Sequence, residues 1–158
     1  GTFYSYQQFG IQPDLVSSAK GLGGGLPIGA VLFGEKTQDT LIPGDHGSTF
    51  GGNPVVCAGA VEVLNRMDDT FLQNVTAKGR HMREEIEKMP HVTSVAGMGM
   101  MLGIELDIDV KPVVTALMEN GLLVLTAKHK MRLLPPLNIA QTELEKGLFI
   151  LKNTLAAL

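Results

Sequence analysis

Apolar positions along the chain fall into two spacings, one suited to strands and one to helices. Leu15-Val16-Ser17-Ser18-Ala19 and Ile28-Gly29-Ala30-Val31-Leu32-Phe33 are short apolar runs bounded by turn residues, and both predict strands. Between them, Gly21-Leu22-Gly23-Gly24-Gly25 is predicted as loop, because so much glycine is costly inside a regular element. An aromatic, amphipathic stretch from Phe3 to Phe9 is closed by Gly10. Asn53-Pro54 joins an N-cap residue to a first-turn proline and predicts a helix as far as about Met67. Asp68 or Asp69 then caps a second helix. Its Leu72, Val75, Met82, Ile86 and Met89 recur at three- and four-residue multiples, with Pro90 as the stop.

The remainder reads as a small α/β unit. Val92 to Val95 and Met100 to Leu106 predict strands joined through Gly97 and Gly99. Pro112 to Asn120 predicts a helix with Gly121 just past its end. Leu122 to Leu125 and Met131 to Leu134 predict further strands, and Pro135-Pro136 blocks continuation. Thr142-Glu143-Leu144-Glu145 reads as a capping box. Leu144, Leu148, Leu151, Leu155 and Leu158 follow a 4-3-4-3 spacing, the apolar stripe of a terminal amphipathic helix. Met98, Met100 and Met101 are expected in the core, and Arg80, Arg83, Glu84, Glu85, Glu87 and Lys88 on a solvated face. A boundary is expected in the helical stretch around residues 60 to 70, giving parts 1–65 and 66–158.

Composition narrows the class. Of 158 residues, 44% are hydrophobic and 18% charged, enough apolar material for a core and no sign of disorder. The net charge of −3, with basic residues scattered among acidic ones, gives no case for nucleic acid or an anionic membrane surface. No apolar run has membrane-spanning length and no leader is recognisable. A single cysteine, Cys57, makes no internal disulfide, which fits a reducing cytoplasm. The opening Gly1-Thr2-Phe3 reads like a chain entered part-way.

Three places carry candidate chemistry. Lys20 ends an apolar strand beside a glycine cluster, with no acidic neighbour in sequence. Ligands of open α/β sheets bind outside the carboxyl ends of strands. There, a lysine kept among apolar and backbone groups supplies the free amine that condenses with carbonyls; the alternative is a strand-end lysine reaching to water. The loop Asp45-His46-Gly47-Ser48-Thr49-Phe50-Gly51-Gly52 leads to the helix start at Asn53. It offers hydroxyl and amide donors to an anion, or is a turn whose Ser48 and Thr49 satisfy local backbone groups. Arg132 is isolated in an apolar strand and needs a partner, either an internal acid or a substrate carboxylate. The glycines fit neither a Walker phosphate loop nor a dinucleotide fingerprint, the four histidines lack metal-ligand spacing, and no nucleophile elbow is present.

Taken in order, these pieces resemble a known family. Ser18-Ala19-Lys20-Gly21-Leu22-Gly23-Gly24-Gly25-Leu26-Pro27-Ile28-Gly29-Ala30 resembles the lysine segment of the class III pyridoxal-phosphate-dependent aminotransferases. His46-Gly47-Ser48-Thr49-Phe50-Gly51-Gly52-Asn53-Pro54 resembles their phosphate-contacting loop. Gly97-Met98-Gly99-Met100-Met101-Leu102-Gly103-Ile104-Glu105-Leu106 and Arg132-Leu133-Leu134-Pro135-Pro136-Leu137 are similar to their small-domain signatures.

The resemblance implies an α/β fold, the C-terminal part of a fold-type I transferase, with residues 1–65 in the cofactor domain and 66–158 forming the small domain. It implies pyridoxal 5′-phosphate held covalently by Lys20, which then moves a proton at the substrate α-carbon. It further implies phosphate contacts from Thr49 and Ser48 across a homodimer, and a substrate α-carboxylate on Arg132. The wording is most similar to members that exchange an amino group between N-acetylornithine and 2-oxoglutarate in arginine biosynthesis. Members acting on ornithine or 4-aminobutyrate are close relatives; a non-catalytic dimerisation module is the alternative outside enzymology. Two departures stand out. Ala96 replaces the arginine usual in the small-domain motif, and no segment matches the family's acidic partner of the pyridine nitrogen, Asp14 included. The chain alone is therefore expected to be catalytically weak or inactive.

Overall fold

In the computed structural model, which describes residues 1–158, Asn53 and Pro54 start α1 (Pro54–Asn65) as their chemistry demands. The Asn53 Oδ1 accepts from the amides of Val55 at 3.0 Å and Val56 at 3.3 Å, satisfying donors that a helix start otherwise leaves open. Upstream, β1 (Leu15–Ser18) and β2 (Ala30–Phe33) pair antiparallel, with Leu15 opposite Phe33 and Ser18 opposite Ala30. The glycine run after β1 is more ordered than its composition predicts. Lys20–Gly23 forms a 3₁₀ turn, closed by Gly24 in the left-handed region at φ 60°. The chain divides into two compact units, Thr2–Leu72 and Gln73–Leu158.

Helix α2 (Asp69–Ile86) is started by Asp68, whose Oδ1 accepts from the Phe71 amide at 2.7 Å. It ends at Ile86, ahead of Pro90: the Met89 amide turns back to the Ile86 carbonyl at 3.0 Å, and His91 then takes a left-handed φ of 64°. In the second unit, β3 (Val92–Met98), β4 (Met101–Leu106), β5 (Leu125–Ala127) and β6 (Lys130–Leu133) form one antiparallel sheet of order β3-β4-β6-β5. Two-residue alternation sorts its side chains. Leu102, Ile104, Met131 and Leu133 are buried on one face, while Ser94, Ala96, Met101, Glu105, Lys130 and Arg132 stand on the other. Only Met100 of the three neighbouring methionines is buried; Met98 and Met101 point to the open face because the turn falls between them.

Helices supply the rest of this core. In α3 (Val110–Glu119), capped by Asp109, Val110, Val113 and Leu117 are buried. Its end is a Schellman motif: the Leu122 amide reaches the Leu117 carbonyl at 2.8 Å and that of Gly121 the Met118 carbonyl at 3.1 Å. Because Leu122 is used in that cap, the following strand begins only at Leu125, three residues later than the apolar run suggests. In α4 (Gln141–Ala156), Leu144, Leu148, Leu151 and Leu155 are buried as the 4-3-4-3 stripe predicts, whereas Leu158 lies outside. The expected capping box does not form. The helix starts one residue before Thr142, with Ala140 at the cap, and Glu145 is bound by Gln141 and His81, each at 2.7 Å.

Sheet and helix α2 meet at bare backbone. A Cβ on Gly79 would stand 2.5 Å from the Gly99 carbonyl, so the β3–β4 turn seats directly on the helix. Arg83, expected in solvent, instead donates to the Val95 carbonyl and, at 2.9 Å, to that of Gly97, closing the free edge of β3. Gly79→Ala tests this contact. Helix propensity alone would favour alanine by about 1 kcal/mol, but the clash is expected to lower the urea midpoint; a raised midpoint would contradict the close approach.

Candidate functional site

Lys20 is one of three non-glycine residues with positive φ, at 57°. Such a conformation persists in a bulky residue only where the surroundings enforce it, and it marks functional positions. The enforcement here is local. Strand β1 fixes the approach, the Leu22 amide turns back to the Ala19 carbonyl at 3.2 Å, and Gly23 is buried. Helix α1 supports the turn from below: a Cβ on Gly59 would meet Leu26 Cδ1 at 2.9 Å, and one on Gly24 would meet Val63 Cγ2 at 3.0 Å. The Lys20 side chain is exposed and makes no hydrogen bond or ion pair, so the apolar enclosure that the sequence suggests for it is not formed by this chain. Asp14, its nearest acid in sequence, pairs with Lys36 at 3.2 Å instead.

The loop before α1 ends at the same helix. Ser48 and Thr49 are exposed, and neither hydroxyl has a partner within the chain, so the reading in which they satisfy the local backbone does not hold. Gly51 turns back to the Ser48 carbonyl at 3.3 Å, and Gly52 is left-handed at φ 69°. That turn hands the chain to Asn53 at the positive end of α1. From Asn53 to Gly59, where the Lys20 turn rests, is about 9 Å along the helix axis. One helix therefore carries both the lysine turn and the hydroxyl-bearing loop.

Arg132 belongs to the other unit, on the open face of its sheet. It stands opposite Gly103 of β4 and Leu125 of β5, and Gly103 is itself opposite Ala96. The Arg132 Nε is buried and has no hydrogen-bond acceptor, and the guanidinium forms no salt bridge. The internal acid that the sequence leaves open as its partner is thus absent. Leaving such a donor unmade is unfavourable, so the position is suited to a carboxylate from outside.

Glu105, on the same face as Arg132, is engaged elsewhere. Its Oε2 accepts from Ser94 Oγ at 2.8 Å and lies 3.4 Å from Lys130 Nζ, while Oε1 lies 3.5 Å from His129 Nε2. The Ser94 hydroxyl first, then Lys130 and more weakly His129, hold its carboxyl below the ordinary carboxylate range. Sequence reasoning did not single out Ser94, Glu105 or Lys130. Their alternate spacing around Gly103 was a signal, but one readable only with the strand register in hand.

Comparison with known proteins shows the family. The family profile Aminotransferase class-III matches residues 1–155. The acetylornithine aminotransferase of Haemophilus ducreyi is 50% identical over 158 residues, which is 99% of this chain and 40% of that protein. Among solved structures, acetylornithine aminotransferase from Elizabethkingia anophelis superposes with a TM-score of 0.87 at 32% identity, over 99% of this chain and 44% of that one. The ornithine aminotransferase from Toxoplasma gondii, described with partial occupancy of PLP at its active site, also reaches 0.87 at 33% identity, over 96% of this chain and 38% of that one. The chain thus spans about two fifths of the length of the relatives it matches. Its mixed α/β structure is that of part of a fold-type I transferase. The chain belongs to the class-III aminotransferases.

Proposed function

We propose that the protein carrying this chain is an aminotransferase that moves an amino group between N-acetylornithine and 2-oxoglutarate with pyridoxal 5′-phosphate, in arginine biosynthesis. The observation that carries this reading is Lys20: a lysine in a left-handed turn at a strand end, its amine without any partner, inside the family's lysine segment. The remaining donors fit the same ligands. Two hydroxyls without partners at a helix start suit a phosphate, and a buried guanidinium Nε without an acceptor suits a carboxylate.

Each residue then has a distinct task. Lys20 would hold the cofactor aldehyde through its amine and would move the proton at the substrate α-carbon. Ser48 and Thr49 bind the phosphate, and in the proposed homodimer they do so for the neighbouring subunit's site. Arg132 fixes the α-carboxylate of the amino acid and of the 2-oxo acid. When bound, pyridoxal phosphate supplies the electron sink for the breaking Cα–H bond. The division into cofactor domain and small domain follows the same reading, as does a cytoplasmic location. No helix is long and apolar enough to cross a membrane.

A second amino donor has support of its own, since an ornithine aminotransferase superposes as well as an acetylornithine aminotransferase does. The 50% identity to the acetylornithine aminotransferase of Haemophilus ducreyi, against 33% to the ornithine aminotransferase of Toxoplasma gondii, favours the acetylated donor. Steady-state rates decide between them. The full-length protein is expected to show a higher kcat/KM for N-acetylornithine than for free ornithine or 4-aminobutyrate, and the reverse order would reassign the donor. Turnover by the isolated chain is expected to fall well below that of a full-length relative.

Two substitutions separate the tasks in the full-length protein. Lys20→Ala is expected to lower turnover by about 10³-fold, within the range of a lost acid–base group, with N-acetylornithine still bound. Retained turnover would remove Lys20 from the chemistry. Arg132→Lys keeps the charge but loses the guanidinium fork. It is expected to raise KM for both carboxylate substrates by about tenfold, which corresponds to 1.4 kcal/mol, while affinity for pyridoxal phosphate is unchanged. Equal KM values would show that Arg132 does not bind the carboxylate.

A further inference from the structure

Glu105 and Arg132 share the open face of the sheet. Gly103 is opposite Arg132 and Ile104 opposite Met131, so continuing the β4–β6 register sets Glu105 against Lys130. Glu105 is then the diagonal neighbour of Arg132, at a spacing of about 7–8 Å that long side chains bridge readily. Arginine and carboxylate form a bidentate pair stronger than most alternatives. Yet both Glu105 oxygens are directed to Ser94, Lys130 and His129, and the buried Nε of Arg132 is without an acceptor.

The position of Lys130 accounts for this. Its Cδ lies 3.8 Å from where a Cβ on Gly103 would be, so its stem runs over the glycine that faces Arg132. Its ammonium meets Glu105 Oε2, the oxygen that Ser94 also binds. His129 is the more exposed contact, with 68% of its side-chain surface open, and contributes least.

We propose that Lys130, with Ser94, holds Glu105 away from Arg132 and so keeps the Arg132 guanidinium available to a carboxylate ligand. Lys130 is on this account a positioning residue that prevents an internal ion pair. The inference rests on the reading of Arg132 as a carboxylate site. It goes beyond that reading in naming the competing acid and the residues that restrain it.

The test observes Arg132 itself, by side-chain Nε–H NMR of the full chain labelled with ¹⁵N-arginine, with glutarate as the probe. In the unsubstituted chain the Arg132 resonance is expected to shift on glutarate addition. In Lys130→Met it is expected to have moved already, and glutarate affinity to fall about tenfold. Lys130→Met/Glu105→Gln should recover affinity to within about twofold, and Lys130→Arg should behave as the unsubstituted chain. Ser94→Ala, a small change on an exposed face, is expected to shift the resonance the same way by less. It provides the answer should Lys130→Met fail to fold. If Lys130→Met and Ser94→Ala leave both the resonance and the affinity unchanged, the proposal is overturned while the carboxylate site stands. A resonance that ignores glutarate in the unsubstituted chain removes the carboxylate site and the proposal with it.

Discussion

A lysine held at positive φ is the constraint on which the rest of the account turns. The left-handed region is unfavourable for a residue with a long side chain, so Lys20 stays there only because its neighbours leave no better option. Strand β1 delivers the chain, a 3₁₀ turn follows at once, and Gly24, where a Cβ would stand 3.0 Å from Val63 Cγ2, lets that turn settle onto α1. On the helix side Gly59 lies under the same turn, where a Cβ would stand 2.9 Å from Leu26 Cδ1 and that side-chain end would have to shift. A turn built this way fixes where the side chain starts from, and no acid within the chain pairs with its amine. Strain located at a reactive group in this manner is a usual feature of functional sites.

A second constraint acts in the other unit, through strand register. Pairing Gly103 with Arg132 lays the guanidinium against a strand position that has no side chain, and the same register puts Glu105 opposite Lys130. The buried face of the sheet, with Leu102, Ile104, Met131 and Leu133, fixes this register firmly, since a one-residue slip would exchange the two faces. Core packing therefore determines which polar groups meet on the open face. Ala96 fits the same picture. A small residue there, opposite Gly103, leaves that part of the face uncrowded.

Features set by contiguous residues were legible in the sequence. Asn53-Pro54 starts its helix because cap and first turn are adjacent, and the leucine stripe of α4 is buried because its spacing matches the helix period. Lys20, Ser48, Thr49 and Arg132 could be singled out as residues whose chemistry the surrounding pattern did not explain. Features set by tertiary contact were not legible. Thr142 has the right neighbours for a capping box, yet the chain enters α4 from Ala140 and Glu145 is taken by His81 of another helix. Arg83 reads as a surface charge until the β3 edge is placed beside it. Whether Arg132 has an internal partner depends on register, which no local pattern encodes.

Reductive trapping with borohydride, followed by peptide mapping, tests the central claim most directly. Pyridoxal phosphate and phosphate-free pyridoxal would be offered separately to the chain, in isolation and in the full-length protein. If Lys20 is the free amine of a site that the neighbouring subunit's phosphate-contacting loop completes, the full-length protein will carry the label on Lys20 in preference to every other lysine. The phosphorylated aldehyde will also label it far more readily than pyridoxal does. Label spread over the lysines according to their exposure, with no advantage for the phosphate, would contradict the account.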